Sequence, residues 1–326
     1  MEQKMIFESV YDKEEEKMSI RNIQSWLLSG DVAIQFQTKR DLLSVDTSEL
    51  EILQKSISTS GWGKLFLQKQ DNETRKWGNG LYGPKWISTH YTLLDLINIG
   101  IHPETPQYKE SADLLLDKLW FNKGKVRKDR WQDLCVSGMF LHICCYAKIK
   151  SDKIYEIVDY LIDKHYNDGG WNCMWEAGHI HSSLHTTLSV LEGICDYERN
   201  GYEYRLDELL KLRKEAHEFI LIHRLFKSDK TGEIIKNNFI MLSFPSRWFY
   251  NILRCLDYFQ SIDLPYDERM QDAIDILYKK RRKNGKWPVQ HKISGLVHFD
   301  MEKTGSDSRW NTLRALRVLK KYGDQF

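Results

Sequence analysis

The feature that most constrains the fold of this 326-residue chain is a helical periodicity of apolar residues along most of its length. The pattern predicts twelve amphipathic helices, and no segment alternates convincingly with the period of two that marks a strand. The predicted spans are 19–29, 31–44, 48–69, 87–99, 107–121, 132–147, 151–165, 181–198, 203–224, 247–260, 266–281 and 309–321. Only 6 residues are proline, which breaks helices. We therefore predict an all-α protein.

The second helix of several consecutive pairs carries one apolar pattern, with leucine at its fourth and seventh positions. The pattern occurs at 90–96, 185–191, 250–256 and 310–316. Twelve helices in such a quasi-repeat form six helical hairpins, which can stack as an open solenoid or close into a ring. Long aromatic loops join the two helices of a pair. They favour the closed ring, because such loops can cover a cavity.

A basic–aromatic pair stands at or just before the start of four of these helices. The pairs are Lys85-Trp86, Arg130-Trp131, Arg247-Trp248 and Arg309-Trp310, and His181 takes the equivalent place in another hairpin. A further motif closes the first helix of a pair, reading Asp168-Gly-Gly-Trp171 and Asn284-Gly-Lys-Trp287. Asn or Asp followed by Gly ends a helix through a left-handed turn. We predict that the tryptophan packs back on that helix end.

These motifs resemble those of a known superfamily. Phe66-x3-Gln70 followed by Trp77 resembles the Gln–Trp repeat of squalene and oxidosqualene cyclases. Segments 165–171 and 281–287 resemble later copies of that repeat, with histidine and arginine at the glutamine position.

Two inner-helix starts, 85–94 and 181–188, resemble prenyltransferase and squalene-oxidase repeats. The resemblance spans roughly residues 60–326. It implies the (α/α)6 toroid of the terpenoid cyclase and protein prenyltransferase superfamily, and the whole chain resembles bacterial proteins labelled squalene-cyclase-like. The Asp-x-Asp-Asp acid motif of class II terpene cyclases does not occur in the chain.

The expected domain organisation is one toroid over residues 1–326, with a charged extension at 1–18, a ring-closing hairpin at 19–60 and the repeats at 61–326. The formal charge of +2 argues against nucleic-acid binding. We expect no integral membrane segment, because no apolar run reaches the roughly 18–20 residues of a span. The N-terminus lacks the apolar stretch of a secretory signal, and the 6 cysteines form no CxxC pair. We therefore expect reduced thiols and a cytoplasmic location.

A closed ring brings the starts of the inner helices to one rim. Free N–H groups and basic residues there favour an anion, and aromatic rings favour an apolar, cationic or sugar-like body. The residues predicted to bind substrate are Lys85, Trp86, Trp131, Trp175, His181, Arg247, Trp248, Tyr250, Arg309 and Trp310. The alternative is that the basic–aromatic pairs only cap helices.

Two polar segments supply candidates for acid–base catalysis. Segment 171–185 contains Glu176 and His185, and segment 298–310 contains Asp300 and Glu302, whose pKa would rise on burial against an aromatic wall. His181 and His185 have a spacing that can bind a metal, but no firm partners accompany them, so we expect neither a metal nor a cofactor. The alternatives are a polar cavity wall for the first segment and a solvated capping loop for the second.

The leading functional prediction is a cyclase- or transferase-like protein with an aromatic cavity, acting on an isoprenoid or similar apolar, anionic small molecule. One alternative is a carbohydrate-active hydrolase or lyase of α/α-toroid type, favoured by two acids roughly 5–9 Å apart. The other is a non-catalytic binding module, so whether the protein is an enzyme stays open. A deep dry tunnel would favour an isoprenoid, and an open groove a polysaccharide.

Overall fold

The computed structural model describes residues 20–128 and 130–323, which are mostly helical. The α-helices are α1 (20–28), α2 (Val32–Thr38), α3 (Thr47–Ser56), α4 (Gly61–Leu67), α5 (Thr89–Ile99), α6 (Pro106–Leu119), α7 (Leu134–Tyr146), α8 (Asp152–Asp163), α9 (Leu184–Arg199), α10 (Leu206–Ile222), α11 (Ile252–Ser261), α12 (Gln271–Lys280) and α13 (Arg309–Tyr322). A π-helical turn, Lys39–Leu43, follows α2 directly. The expected extension at 1–18 lies outside the described residues. Within the described ranges, no helix is both long and apolar enough to cross a membrane.

Four short strands interrupt the helical pattern in the described part of the chain. They are β1 (Lys125–Arg127), β2 (Arg130–Trp131), β3 (Trp287–Pro288) and β4 (Asp307–Ser308), and they form two antiparallel pairs, β1–β2 and β3–β4. The sequence analysis predicted no strand. Segments of two or three residues are too short to show an alternating pattern, so sequence periodicity could not reveal them.

The helices form six hairpins, and the second helix of each hairpin lines the inside of a ring. The inner helices are α2, α5, α7, α9, α11 and α13, and the outer layer consists of α1, α3 with α4, α6, α8, α10 and α12. Burial separates the two layers, since 12 of the 16 residues of α9 are buried against 5 of the 12 residues of α8. The all-α toroid predicted from the sequence is confirmed.

Polar contacts between inner helices run around the ring. Gln37 on α2 donates to the Asn98 carbonyl on α5 at 2.9 Å. Arg317 on α13 closes the circle, because its Nη1 donates at 2.7 Å to Asp41, in the π-helical turn after α2. Its Nη2 donates at 2.8 Å to Asp257 on α11. These contacts lie toward the C-terminal ends of the inner helices, which we call the C-terminal face of the ring.

Helices α7 and α9 approach more closely than ordinary side chains would permit. A Cβ placed on Gly138 would lie 2.7 Å from the Val190 Cα, and one on Gly193 would lie 2.4 Å from the Gly138 carbonyl oxygen. Glycine is therefore required at both positions, because the contacted atoms are backbone and cannot move aside.

The opposite end, which we call the N-terminal face, carries the long loops. Loops 68–88, 120–133, 164–183, 223–251 and 281–308 lead into the inner helices α5 to α13. The loops from inner to outer helices at the C-terminal face are shorter, at 100–105, 147–151, 200–205 and 262–270. A ligand site built from loop residues is therefore expected at the N-terminal face.

The repeated tryptophans lock each outer helix to its inner partner. Trp77, Trp171 and Trp287 are fully buried, and each indole N–H donates at 2.7 Å to a backbone carbonyl at or near the end of the preceding outer helix. The backbone N–H of each tryptophan donates to a threonine hydroxyl on the following inner helix, at 3.0–3.1 Å. The predicted packing on the helix end is confirmed, and it is a structural task that needs no ligand.

The prediction of one continuous helix over 48–69 is wrong. The structure has two helices there, α3 and α4. Gly61 has a φ of +57°, which is the left-handed region that glycine tolerates best. A Cβ there would lie 2.1 Å from Asp31 Oδ2. The Asp31 carboxylate accepts hydrogen bonds from the Ala33 N–H at 2.9 Å and the Trp62 N–H at 2.8 Å. Asp31 thereby caps both α2 and α4. It can cap α4 only because the helix is interrupted before Gly61.

Candidate functional site

Lys85 is exposed on the N-terminal face among aromatic rings. Its ammonium group lies 5.6 Å from the ring centres of Tyr82 and Trp86 and 5.8 Å from that of Trp248. The Arg247 guanidinium lies 5.7 Å from the centre of the Trp86 ring. The structure therefore brings together four of the predicted binding residues, two cationic and two aromatic.

Arg247 differs from Lys85 because its charge is already paired inside the protein. Its Nη1 donates to Asp95 Oδ2, and the two side chains are only 6% and 4% exposed. Burial raises the pKa of the Asp95 carboxyl, and the Arg247 charge opposes that rise. The sequence analysis did not predict a role for Asp95. The signal that could have revealed it is a carboxylate within the apolar pattern of an inner helix. Lys85 is left as the solvent-facing cation of this cluster.

Loop 289–304 covers the centre of the N-terminal face. Trp86 holds it, because its indole N–H donates to the Ser294 carbonyl at 2.7 Å and its backbone N–H donates to the Leu296 carbonyl at 2.9 Å. Beneath the loop lies a cavity of about 30 Å³, which three of the predicted site residues help to line. Its polar and charged lining residues are Asp95, Arg247, Lys292, His298, Asp300, Glu302 and Thr304, and the others are apolar. A space of this size holds about one water molecule. The ligand of this face would therefore bind on the surface beside the loop.

The residues around the start of α13 have structural partners. The Glu302 carboxylate accepts hydrogen bonds from the N–H groups of Arg309 and Trp310, at 2.6 Å and 3.2 Å, and burial raises its pKa. The Arg309 guanidinium lies 4.6 Å from the Trp26 ring centre, and Trp310 is fully buried. Asp300 forms an exposed ion pair of 2.5 Å with Lys292. None of these residues contacts Lys85 or its aromatic neighbours, and their predicted roles stay predictions.

His185 is packed in an aromatic environment beside Tyr250. Its Nδ1 accepts a hydrogen bond of 2.8 Å from the Tyr250 backbone N–H, so the proton of the neutral ring sits on Nε2. Its ring centre lies 5.3 Å from that of Trp248 and 5.1 Å from that of Phe239. Burial, with help from Lys236, lowers the His185 pKa to about 4. At neutral pH this imidazole is therefore uncharged and suited to donating a hydrogen bond through Nε2.

Three large rings form an aromatic surface next to the Lys85 cluster. Trp131 stacks on Tyr160, with ring centres 5.7 Å apart and an angle of 9° between the planes. The Trp175 ring centre lies 6.3 Å from that of Trp131, and the Lys164 ammonium lies 4.4 Å from the Trp175 ring centre. Both tryptophans are only half-buried. Partly exposed, well-supported rings of this kind are suited to stacking against a flat, weakly polar ligand face.

Two carboxylates lie beside this aromatic surface. The exposed Glu176 accepts a hydrogen bond of 3.1 Å from the Trp131 backbone N–H. Asp133 stands at the start of α7, and its half-buried carboxylate makes no capping hydrogen bond there. Among the described residues its nearest ionic partner is Arg130, at 4.0 Å. Burial raises the Asp133 pKa, the Glu176 charge adds to the rise, and the charges of Arg130 and Lys85 oppose it.

Asp133 is the functional candidate that sequence analysis missed. An aspartate immediately before a helix is typical of an N-cap. Only the structure shows that the Asp133 carboxylate makes no capping hydrogen bond. We call Lys85, Trp131, Asp133, Trp175 and Glu176 the aromatic–carboxylate site.

A pair of thiols lies behind this site. Cys173 Sγ accepts hydrogen bonds from the Cys135 backbone N–H at 3.1 Å and from the Thr186 hydroxyl at 3.4 Å. Hydrogen bonds, the largest from the Cys135 thiol, lower the Cys173 pKa. Both cysteines are free and half-buried. The Cys173 sulfur is therefore the more thiolate-like of the two.

His181 lies apart from these groups, with its side chain 74% exposed and its Nδ1 3.7 Å from an Asp168 carboxylate oxygen. In the described ranges, no group of three or more His, Cys, Asp or Glu side chains is arranged to hold a metal ion.

Comparison with known proteins gives little resemblance in sequence. No family model matches the chain, and no curated protein matches it. Among solved structures, the chain is similar to a protein described as glycosyl hydrolase family 88 from Bacteroides vulgatus. The two share 11% identity over 88% of each chain, with a TM-score of 0.47.

The expected relation to terpenoid cyclases and protein prenyltransferases is therefore wrong. No model of those families matches the chain. The physical reason lies in the motifs that suggested the relation. Trp77, Trp171 and Trp287 tie helix ends together, which a ring of helical hairpins requires whatever its ligand.

Proposed function

We propose that the protein is a carbohydrate-active enzyme, of hydrolase or lyase type, that works at the aromatic–carboxylate site. The observation that carries the proposal is the pair of carboxylates, Asp133 and Glu176, beside the half-exposed rings of Trp131 and Trp175. Glycoside chemistry commonly uses two carboxyl groups in different environments, one protonated and one ionised. The two carboxylates of this site differ in environment, because Asp133 is half-buried, which raises its pKa, and Glu176 is exposed.

Asp133 is the proposed general acid. Its raised pKa favours the protonated form, and its carboxyl group is free of helix capping, so it can donate a proton to a leaving oxygen. Glu176 is the proposed base or nucleophile. It is exposed to solvent, and its hydrogen bond from the Trp131 N–H orients one of its oxygens.

The neighbouring side chains fit a sugar better than a purely apolar chain. The rings of Trp131 and Trp175 can stack on the C–H face of a pyranose. The Lys85 ammonium is exposed and close enough to lower the Asp133 pKa. A carboxylate on the sugar would pair with this cation, so we propose an acidic sugar, such as a uronide, as the preferred ligand.

The protein is also proposed to work in a reducing compartment, as expected for the cytoplasm. All six cysteines are free thiols, and four of them are buried. Cys173 and Cys135 are neighbours that an oxidising compartment would tend to join.

The test is hydrolysis or elimination of a panel of chromogenic glycosides that includes uronides. Asp133→Asn and Glu176→Gln should each lower kcat on the best substrate by roughly 10²–10⁴-fold, the usual contribution of a general acid or base. The matched controls are Asp117→Asn and Glu51→Gln, which change exposed carboxylates that pair with lysines elsewhere. Both controls should keep wild-type activity.

The pH profile adds a second readout. Because burial raises the pKa of Asp133, the fall in activity on the alkaline side should follow its deprotonation, and Asp133→Asn should remove that limb. A sugar that binds to the wild type without being cleaved would instead identify a binding module. Equal activity of the wild type and both site variants would refute the assignment.

A further inference from the structure

A large opening lies at the C-terminal face of the ring, away from the aromatic–carboxylate site. Its volume is about 570 Å³, and it is lined mostly by inner-helix residues. The lining includes five arginines and four carboxylates. We call it the charged chamber. Burying so many charges is costly unless each is paired or meets a polar ligand.

Most of these charges are paired across neighbouring helices. Arg254 on α11 forms a two-pronged ion pair with Glu192 on α9, with distances of 2.8 Å and 2.5 Å. Arg317 divides its guanidinium between Asp41 and Asp257, at 2.7 Å and 2.8 Å. These pairs satisfy the carboxylates of three different elements and hold the wall in place.

Arg314 is the exception. Its side chain is only 9% exposed, and its Nη2 donates to Asn98 Oδ1 at 2.9 Å. Its Nε lies 3.5 Å from Asp257 Oδ2 and has no hydrogen-bond partner among the described residues. Arg314 therefore shares Asp257 with Arg317, and its guanidinium carbon also lies 5.1 Å from the Phe244 ring centre, so its charge is only partly compensated.

The pKa of Arg314 reflects its incomplete pairing. Burial lowers the pKa of Arg314 to about 10, and the attraction of Asp257 does not make up the loss. A guanidinium whose pKa is lowered by burial would be stabilised by a further negative charge nearby. The Nε of Arg317 is likewise without a hydrogen-bond partner in the described ranges. The unused buried groups of both arginines are donors, so the group that fits them is an acceptor.

We propose that the charged chamber is a second ligand site, which binds a small oxyanion such as a phosphate or carboxylate group through Arg314. The chamber carries one more arginine than carboxylates, which gives it a net positive charge. Guanidinium groups bind such oxyanions through two parallel hydrogen bonds. Asn98 and Gln260 also line the chamber, where their amide groups hydrogen-bond Arg314 and Asp257 and so help to position the charged wall. This site is independent of the proposed carbohydrate chemistry.

The test uses inorganic phosphate as the probe, titrated calorimetrically at constant ionic strength set with sodium chloride. The wild type should bind phosphate saturably. Arg314→Lys keeps a positive charge but loses the planar fork, and it should weaken binding by about tenfold or more, in line with a lost charge-assisted hydrogen bond. Gln260→Glu is nearly isosteric. It replaces an amide that donates to Asp257 Oδ1 at 3.0 Å by a carboxylate, and this added negative charge in the wall should also weaken binding.

A control separates this site from others. Arg75→Gln changes an exposed arginine that pairs with Glu110 outside the chamber, and it should bind phosphate as the wild type does. The proposal is overturned if phosphate does not bind saturably, or if Gln260→Glu and a folded Arg314→Lys retain wild-type affinity. Should Arg314→Lys fail to fold, Gln260→Glu alone decides.

Discussion

Replacing Arg247 by methionine is the perturbation whose consequence can be worked out most fully. Arg247 and Asp95 form an ion pair with side chains that are 6% and 4% exposed. Arg247→Met keeps much of the aliphatic volume but leaves the Asp95 carboxyl without its cation. No other ion pair with Asp95 exists in the described part of the chain.

The expected cost is large. Breaking a buried ion pair by removing one partner typically costs about 3–5 kcal/mol, because a buried charge is left uncompensated. Whole domains are stable by only about 5–15 kcal/mol. The double variant Asp95→Asn with Arg247→Met removes both charges and should recover part of the loss, because the neutral amide is less costly to bury.

The loss of unfolding free energy in Arg247→Met should depend on pH. The pKa of Asp95 is raised in the folded protein, first by burial, and removal of Arg247 would raise it further. A carboxyl with a raised folded pKa favours folding at low pH, and this contribution is lost as the pH rises through the folded value. The deficit of Arg247→Met should therefore be largest at neutral pH and shrink toward pH 4, near the ordinary pKa of an aspartate.

Urea unfolding monitored by circular dichroism, at pH 7 and pH 5, measures both effects. The matched control is Arg309→Met, which alters the same Arg–Trp motif where the guanidinium packs over Trp26 near the surface. A surface cation–π contact is worth about 0.5–1 kcal/mol, so this variant should lose little at either pH. A deficit for Arg247→Met below about 1 kcal/mol, or one equal at both pH values, would refute the reasoning.

Three further predictions concern other parts of the ring. Trp171→Phe keeps a buried ring but deletes the indole donor to the Leu161 carbonyl, and it should lower the unfolding free energy by about 1–3 kcal/mol, which urea titration would detect. Cys173 should react with iodoacetamide at pH 7 faster than Cys195, whose pKa burial raises to about 11, and equal rates in peptide mass spectrometry would contradict this. Glu302→Ala removes the carboxylate that accepts from the Arg309 and Trp310 N–H groups beside the Ser308 N-cap of α13, and it should cost about 1–2 kcal/mol, so an unchanged melting temperature would count against that role.

The fold could be predicted from the sequence because its signals are local and repeated. Leucine spacing marks the inner helices, and the Gly–Trp motif marks where an outer helix ends and its partner begins. The break at Gly61 could not be predicted in this way. It depends on Asp31, thirty residues earlier, reaching the start of α4. Periodicity carries no information about such a contact.

The site was only partly predictable because the basic–aromatic pairs look equivalent in sequence. In the structure Lys85 is exposed, Arg247 is paired with buried Asp95, and Arg309 packs over Trp26. The direction in which each pair points depends on its loop and on the partners that neighbouring helices supply. The buried charges of α11 and α13, such as Arg314, stand inside the quoted leucine pattern, but their ion-pair partners lie on other helices.

The central claim is that Asp133 and Glu176 act on a sugar stacked against Trp131. The most direct test is a crystal structure of the Glu176→Gln variant soaked with the best substrate of the glycoside panel. We predict a sugar ring stacked on the Trp131 indole, with the glycosidic oxygen within about 2.6–3.2 Å of the Asp133 carboxyl. A sugar bound elsewhere on the protein, with no oxygen near Asp133, would contradict the account.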